Sequence, residues 1–223
     1  MKEVLLYHGS RGGIIGDIQP ISRERCDFGK GFYMGTNYDQ ARSLVSNDQQ
    51  PVIYTVSTSF SNIPNDNILK LNGMPWAYTV LLNRGKLDNY KNTKLYHLLT
   101  ERLQGKEVLI GPIADDNMNR VMKQFIAGEI TDKVFLECIK AIDYGAQYVA
   151  KSQRACNSIQ IISERELDDK EISEMQHVSE IRREKGLAIV DIMKRQYRRE
   201  GQYLDEILDS LEKEHEEGIN YER

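Results

Sequence analysis

The sequence predicts an α+β fold, and three observations predict it. Strand-like and helix-like stretches are mixed without strict alternation, and several strands follow one another through short loops. From Glu164 onward the chain is strongly charged, lacks proline and reads as helix.

The elements read in order as follows. Val4-Leu5-Leu6-Tyr7 is an apolar run ending abruptly at His8-Gly9-Ser10, a buried strand entering a polar turn. Gly12, Gly13 and Gly16 then form a connection up to Pro20. Residues 27–40, Asp-Phe-Gly-Lys-Gly-Phe-Tyr-Met-Gly-Thr-Asn-Tyr-Asp-Gln, interleave Gly29, Gly31 and Gly35 with a short aromatic run. Such a stretch is either a tight loop delivering Tyr33 into a cleft or a bulged hairpin whose Phe32 and Tyr33 are core.

Thr36 or Asn37 caps a helix reaching about Ser46, with Ala41, Leu44 and Val45 apolar. Val52-Ile53-Tyr54-Thr55-Val56 is β-branched and reads as a strand, and Ile68-Leu69-Lys70-Leu71 as a weaker one. Pro75 opens a short helix with Trp76, Val80, Leu81 and Leu82, and residues 95–103 form another on the outside. Val108-Leu109-Ile110 is a strand stopped by Gly111-Pro112.

Asp115, Asp116 and Asn117 follow at a helix start, where they cap free amides or, less simply, suggest a metal without further ligands at usable spacing. That helix carries Val121, Met122 and Phe125. The next is capped by Thr131 and carries Val134, Phe135, Cys138, Ile139 and Ile142. Ala146-Gln147-Tyr148-Val149-Ala150 and Ser158-Ile159-Gln160-Ile161-Ile162 are the last strands. In the tail, Val190, Tyr197, Leu204 and Leu211 recur every seven residues, with Leu187, Met193, Ile207 and Leu208 beside them. Lys194 and Gly201 interrupt this stripe, which argues against a long coiled coil. The basic run Lys194-Arg195-Gln196-Tyr197-Arg198-Arg199 is a solvated face or a contact for an acidic partner or phosphate.

Bulk properties narrow the function. At 223 residues, 40% hydrophobic and 29% charged, the chain fits one domain with an appendage, divided here as 1–163 and a charged helical extension 164–223. A net charge of −4 argues against general nucleic-acid binding. Cys26, Cys138 and Cys156 form neither a disulfide framework nor a metal spacing, so a reducing cytoplasm is expected. No signal peptide and no apolar segment of about 18–20 residues is present, so no membrane contact is expected. The sequence contains neither a G-x-G-x-x-G turn nor a G-x-x-x-x-G-K-[ST] loop.

Phe28-Gly29-Lys30-Gly31-Phe32-Tyr33 resembles the Phe-Gly-Lys-Gly-Ile-Tyr-Phe stretch of poly-ADP-ribose polymerases, and Tyr7-His8-Gly9-Ser10 their His-Gly strand end. More closely, the chain resembles a bacterial family of unassigned function placed in the ADP-ribosyltransferase superfamily. The resemblance also rests on Ser22-Arg23, Asp27, Gln40-Ala41, Trp76, Asn83-Arg84, Ile110-Gly111-Pro112-Ile113-Ala114-Asp115-Asp116 and Gln147-Tyr148, in that order. It implies split antiparallel β-sheets around a cleft that holds NAD, the co-substrate.

It also implies a histidine, tyrosine and glutamate signature, filled here by His8, Tyr33 and, in the third place, Gln147. His8 would bond an adenosine ribose hydroxyl, and Gly9 would present its backbone to the nicotinamide carboxamide. Tyr33 would stack on the nicotinamide ring. Arg23 and Lys30 are pyrophosphate candidates, and Ser10, Asp27, Gly29 and Gly31 complete the implied NAD-binding set. Glutamine keeps a hydrogen-bonding shape but loses the charge and cannot act as a base. The implied activity is NAD-dependent mono-ADP-ribosylation of an unknown macromolecular acceptor, as the toxin of a toxin–antitoxin pair. The alternatives are an NAD hydrolase or a weak NAD- or ADP-ribose-binding module, and an interaction protein acting through 164–223. That extension is expected to contact an antitoxin or a second copy.

Overall fold

The computed structural model describes residues 2–45, 50–114, 116–141 and 145–221. Ser46, Asp115 and Ile142, assigned above to helix ends and faces, lie outside the described residues, as does the Leu187 side chain. The strands are β1 (Val4–Ser10), β2 (Phe32–Gly35), β3 (Val52–Thr58), β4 (Ile68–Lys70), β5 (Val108–Pro112), β6 (Ala146–Ala150) and β7 (Ile159–Glu166). The helices are α1 (Tyr38–Val45), α2 (Gly73–Asn83), α3 (Lys94–Leu103), α4 (Asp116–Ile126), α5 (Asp132–Ala141), α6 (Gln153–Cys156), α7 (Asp169–Gln196) and α8 (Leu204–Tyr221).

The class is α+β, but the strands form one seven-stranded mixed sheet in the order β4-β5-β6-β2-β1-β3-β7. This corrects the expectation of separate antiparallel sheets, and β4 with β5 is a parallel pair. The sheet is nonetheless weakly joined at one place. The β1–β3 ladder runs unbroken from Val4↔Thr58 to Ser10↔Val52, and β2–β6 from Phe32↔Ala150 to Gly35↔Gln147. Between β1 and β2 the register is carried by Tyr7↔Gly35 alone. Past that pair, where Gly9 would face Tyr33, the ladder ends.

Strand alternation sorts the core into layers. Leu6, Phe32, Met34, Val56, Ile110 and Ala150 pack on one face. On the other, Leu109 and Val149 meet Trp76, Phe125 and Phe135 from α2, α4 and α5. The β1–β3 half carries α1 on this second side, through Ala41 and Val45 against Ile53.

Gly111 and Pro112 do not stop β5. They pair with Gln147 and Ala146, because Gly111 leaves room for the Trp76 ring, whose Cδ1 would lie 2.8 Å from an added Cβ. The Trp76 indole donates to the Pro112 carbonyl at 2.9 Å, fixing the end of β5. α3 is more than an outer helix, since Leu95 and Leu99 are buried.

The tail differs from its sequence reading at two points. Glu164, Arg165 and Glu166 continue β7, because β3 presents Tyr54, Ile53 and Val52 as partners. α7 starts only after Asp168, whose side chain forms a capping box with Glu171. The seven-residue repeat is then split between two helices, with Gly201 at φ +82° in the turn between them. Val190 and Leu204 are buried in the same cluster as Trp76. The Glu212 carboxylate accepts the Lys94 amide at 2.7 Å, at the start of α3.

Candidate active site at the seam of the sheet

His8, Tyr33 and Gln147 stand on β1, β2 and β6, three successive strands of the sheet. Tyr7, Gly35, Gln147 and Gly111 form one row across it, and His8, next after Tyr7, points to the opposite face, where Phe32 lies. The seam between β1 and β2 is spanned by a side chain. His8 Nδ1 lies 2.6 Å from the Tyr33 carbonyl oxygen. A carbonyl only accepts, so Nδ1 carries the proton and Nε2 is left as an acceptor in the neutral ring. The imidazole stacks on Phe32 with centroids 4.2 Å apart. Burial lowers the His8 pKa below 6.5, against the smaller opposing effect of the Tyr33 carbonyl. At neutral pH His8 is therefore an uncharged acceptor.

Tyr33 is half-buried, and its hydroxyl is committed to its own loop. It donates to the Gly29 carbonyl at 2.7 Å and accepts the Phe28 amide at 2.9 Å. Burial pushes its pKa well above the ordinary value, so it is no acid or base at neutral pH. The ring face is what Tyr33 has to present.

Gln147 is buried, and its orientation is set by its surroundings. Nε2 donates to Asp27 Oδ2 at 2.9 Å and to the Pro112 carbonyl at 2.8 Å. Two acceptors on one end identify that end as the nitrogen. Oε1 accepts no hydrogen bond among the described residues, and the side chain is held through its amide nitrogen.

Asp27, buried below Gln147, accepts from Arg84 Nε at 2.8 Å and Nη2 at 2.5 Å. Its Oδ2 also takes the Ala114 amide at 3.4 Å. Protein groups thus occupy this carboxylate, which the resemblance had assigned to NAD. The partner sequence reading did not draw out is Arg84. A buried aspartate demands a counterion, but a cation 57 positions away carries no periodic signal for it.

The glycines serve close packing. An added Cβ at Gly31 would sit 2.5 Å from Val149 Cγ1 and 2.9 Å from the Ala150 carbonyl. At Gly9 it would lie 2.6 Å from the Ala41 carbonyl, so α1 rests on β1 at that point. Gly29 is at φ +74°, with Asn83 Oδ1 2.8 Å from an added Cβ. Ser10 Oγ donates to the Gly13 carbonyl at 2.9 Å.

The pyrophosphate candidates are on the surface. Lys30 pairs with Glu24 at 3.4 Å, both well exposed, and Arg23 is exposed. A third cation, Lys151, is closer in: it donates to the Phe28 carbonyl, and burial lowers its pKa. Its position directly after β6 was the available signal. Among the described residues no group of three or more His, Cys, Asp or Glu side chains could hold a metal. No helix there is long and apolar enough to cross a membrane.

Fold and site together define an α+β protein with a buried Gln147–Asp27–Arg84 cluster on the Tyr33 and Val149 face of its sheet, while His8 stacks on Phe32 on the other face. Residues 4–161 match the family described as "Protein of unknown function (DUF3990)", and the chain belongs to that family. No curated protein and no solved structure matches it.

Proposed function

We propose that the chain is an NAD-dependent mono-ADP-ribosyltransferase with an ADP-ribosyltransferase-like fold, a seam-centred NAD site and an unidentified macromolecular acceptor. The observation that carries this reading is the Gln147 amide, held through Nε2 by Asp27 and the Pro112 carbonyl, on the strand next to Tyr33. In this role Tyr33 stacks on the nicotinamide ring, and His8 Nε2 accepts a hydroxyl of the adenosine ribose. Gln147 Oε1 accepts a hydroxyl of the nicotinamide ribose, aiming a carbonyl dipole at the sugar that becomes oxocarbenium-like. The bond broken joins the ribose C1′ to the pyridinium nitrogen. Nicotinamide leaves with that electron pair, and the acceptor bonds to C1′ and releases its proton.

Arg23 and Lys30, both exposed, are assigned to the pyrophosphate. The 164–223 extension is assigned to an antitoxin or a second copy, in a cytoplasmic toxin–antitoxin pair. A second reading, a binding module for NAD or ADP-ribose or a slow NAD hydrolase, is favoured by one fact: Gln147 supplies no ionisable base.

Labelled NAD incubated with lysate and purified protein separates the readings. Label transferred to a macromolecule supports the transferase. Free ADP-ribose with nicotinamide supports the hydrolase, and binding without turnover leaves the module.

A further inference from the structure

We infer that Asp27 and Arg84 are positioning residues that require an amide, not a carboxylate, at residue 147. The role assigned to Oε1 rests on the reaction proposed above; the requirement for an amide rests on geometry alone.

Asp27 Oδ2 stands 2.9 Å from Gln147 Nε2, and the Pro112 carbonyl stands 2.8 Å from the same nitrogen. Both neighbours are acceptors, so whatever atom occupies that place must donate. Arg84 holds Asp27 in register from the other side, through Nε and Nη2 on Oδ1. The pair thereby selects one of the two flips of Gln147 and turns Oε1 away from Asp27. An ionised carboxylate there would set two negative groups within hydrogen-bonding distance in a buried place. One of them would then have to keep a proton.

Glutamine at this position is therefore a consequence of Asp27. Replacing it by glutamate would not recover a base. The new carboxyl would be held protonated, donating to Asp27 in place of the amide.

The sign of the pH effect follows. The unfolded carboxyl ionises near its ordinary value of about 4.3, while the folded one titrates higher. Stability is fullest below the unfolded value and is lost as pH rises toward the folded one. Urea unfolding of wild type, Gln147→Glu and Asp27→Asn/Gln147→Glu at pH 5 and pH 8 tests this. Relative to wild type, Gln147→Glu is expected to lose more of its urea midpoint at pH 8 than at pH 5. The double variant, with a neutral group at 27 and Arg84 still present, is expected to lose most of that difference. Equal losses at both pH values, or an unchanged difference in the double variant, overturn the inference.

Should Gln147→Glu not fold, the wild-type chain still decides. With its glutamine side chains labelled with ¹⁵N, both Gln147 NH₂ protons should exchange at least tenfold more slowly than those of a free amide. Exchange at the free rate for either proton overturns the inference. Absence of NAD turnover in wild type, alongside the predicted pH behaviour, would sink the proposed reaction and leave the positioning role supported.

Discussion

The Tyr33 hydroxyl donates to the carbonyl of Gly29 at 2.7 Å, so a ring packed against the Phe28 and Val149 core also ties down the loop in front of it. The same oxygen accepts the Phe28 amide at 2.9 Å. Removing the hydroxyl takes the Tyr33 partner from the Phe28 amide and leaves the Gly29 carbonyl with the longer bond from Ser22 Oγ at 3.4 Å. Tyr33→Phe is expected to cost about 1–3 kcal/mol in urea unfolding. Because the ring remains, NAD binding by calorimetry should persist in Tyr33→Phe and be lost in Tyr33→Ala. Equal NAD affinity in both variants would remove the stacking role.

His8 has the opposite design, a titratable ring kept neutral by burial. Its folded pKa lies below 6.5, so the unfolded chain binds the proton first as pH falls. This contribution to stability is level above about pH 6.5 and declines below it. Nitrogen-detected NMR should find the proton on Nδ1 at pH 7.5 and a titration midpoint under 6.5. A proton on Nε2, or a midpoint above that value, contradicts the bond to Tyr33.

Glu107 is the acid-sensitive hub away from the site. Its carboxylate takes Asn67 Nδ2 at 2.7 Å, Ser152 Oγ at 2.6 Å and Arg154 Nε at 3.0 Å, linking the approaches to β4, β5 and α6. The hydrogen bonds from Arg154, Ser152 and Asn67, in that order, lower its pKa from 4.5 to about 2. A depressed carboxyl stabilises the fold above its unfolded value, and that stability is lost as pH falls from 4.5 toward 2. Acid unfolding followed by circular dichroism should show a shallower loss over that window in Glu107→Gln. The Gln variant should also start from a lower stability at pH 7.

The C-terminal helices share the core they cover. Leu204 is 2% exposed, and Val190, 3% exposed, belongs to the same cluster. Leu204→Ala is expected to cost about 2–5 kcal/mol, read as a fall in the urea midpoint. Deleting residues 169–223 uncovers that apolar surface and should give a chain that binds a hydrophobic dye. A truncated chain with wild-type stability would show that α7 and α8 add nothing to the core.

Local chemistry made much of this fold legible. Asn37 caps α1, accepting the Gln40 amide at 3.2 Å, and Thr131 caps α5, accepting the Val134 amide at 3.4 Å. An apolar run marked β1 and a β-branched run marked β3. What stayed hidden depended on partners distant in the chain. Glu164 to Glu166 look helical alone and become strand because β3 is free to pair with them. Gly201 marks the break in the tail repeat, but not the turn between two helices that its φ of +82° allows. At the site, the family resemblance pointed to His8, Tyr33 and Gln147, but not to the pairing of Asp27 with Arg84 and Gln147. That pairing joins a loop (Asp27), a helix end (Arg84) and a strand (Gln147) with no periodic relation in sequence.

The central claim is that this seam breaks the nicotinamide–ribose bond. Nicotinamide released from NAD by purified wild type, Tyr33→Ala and Gln147→Ala, quantified by chromatography with and without lysate, tests it most directly. Release by wild type, stimulated by lysate and reduced at least tenfold in both variants, is the predicted result. No release by wild type, or full release by both variants, contradicts the account.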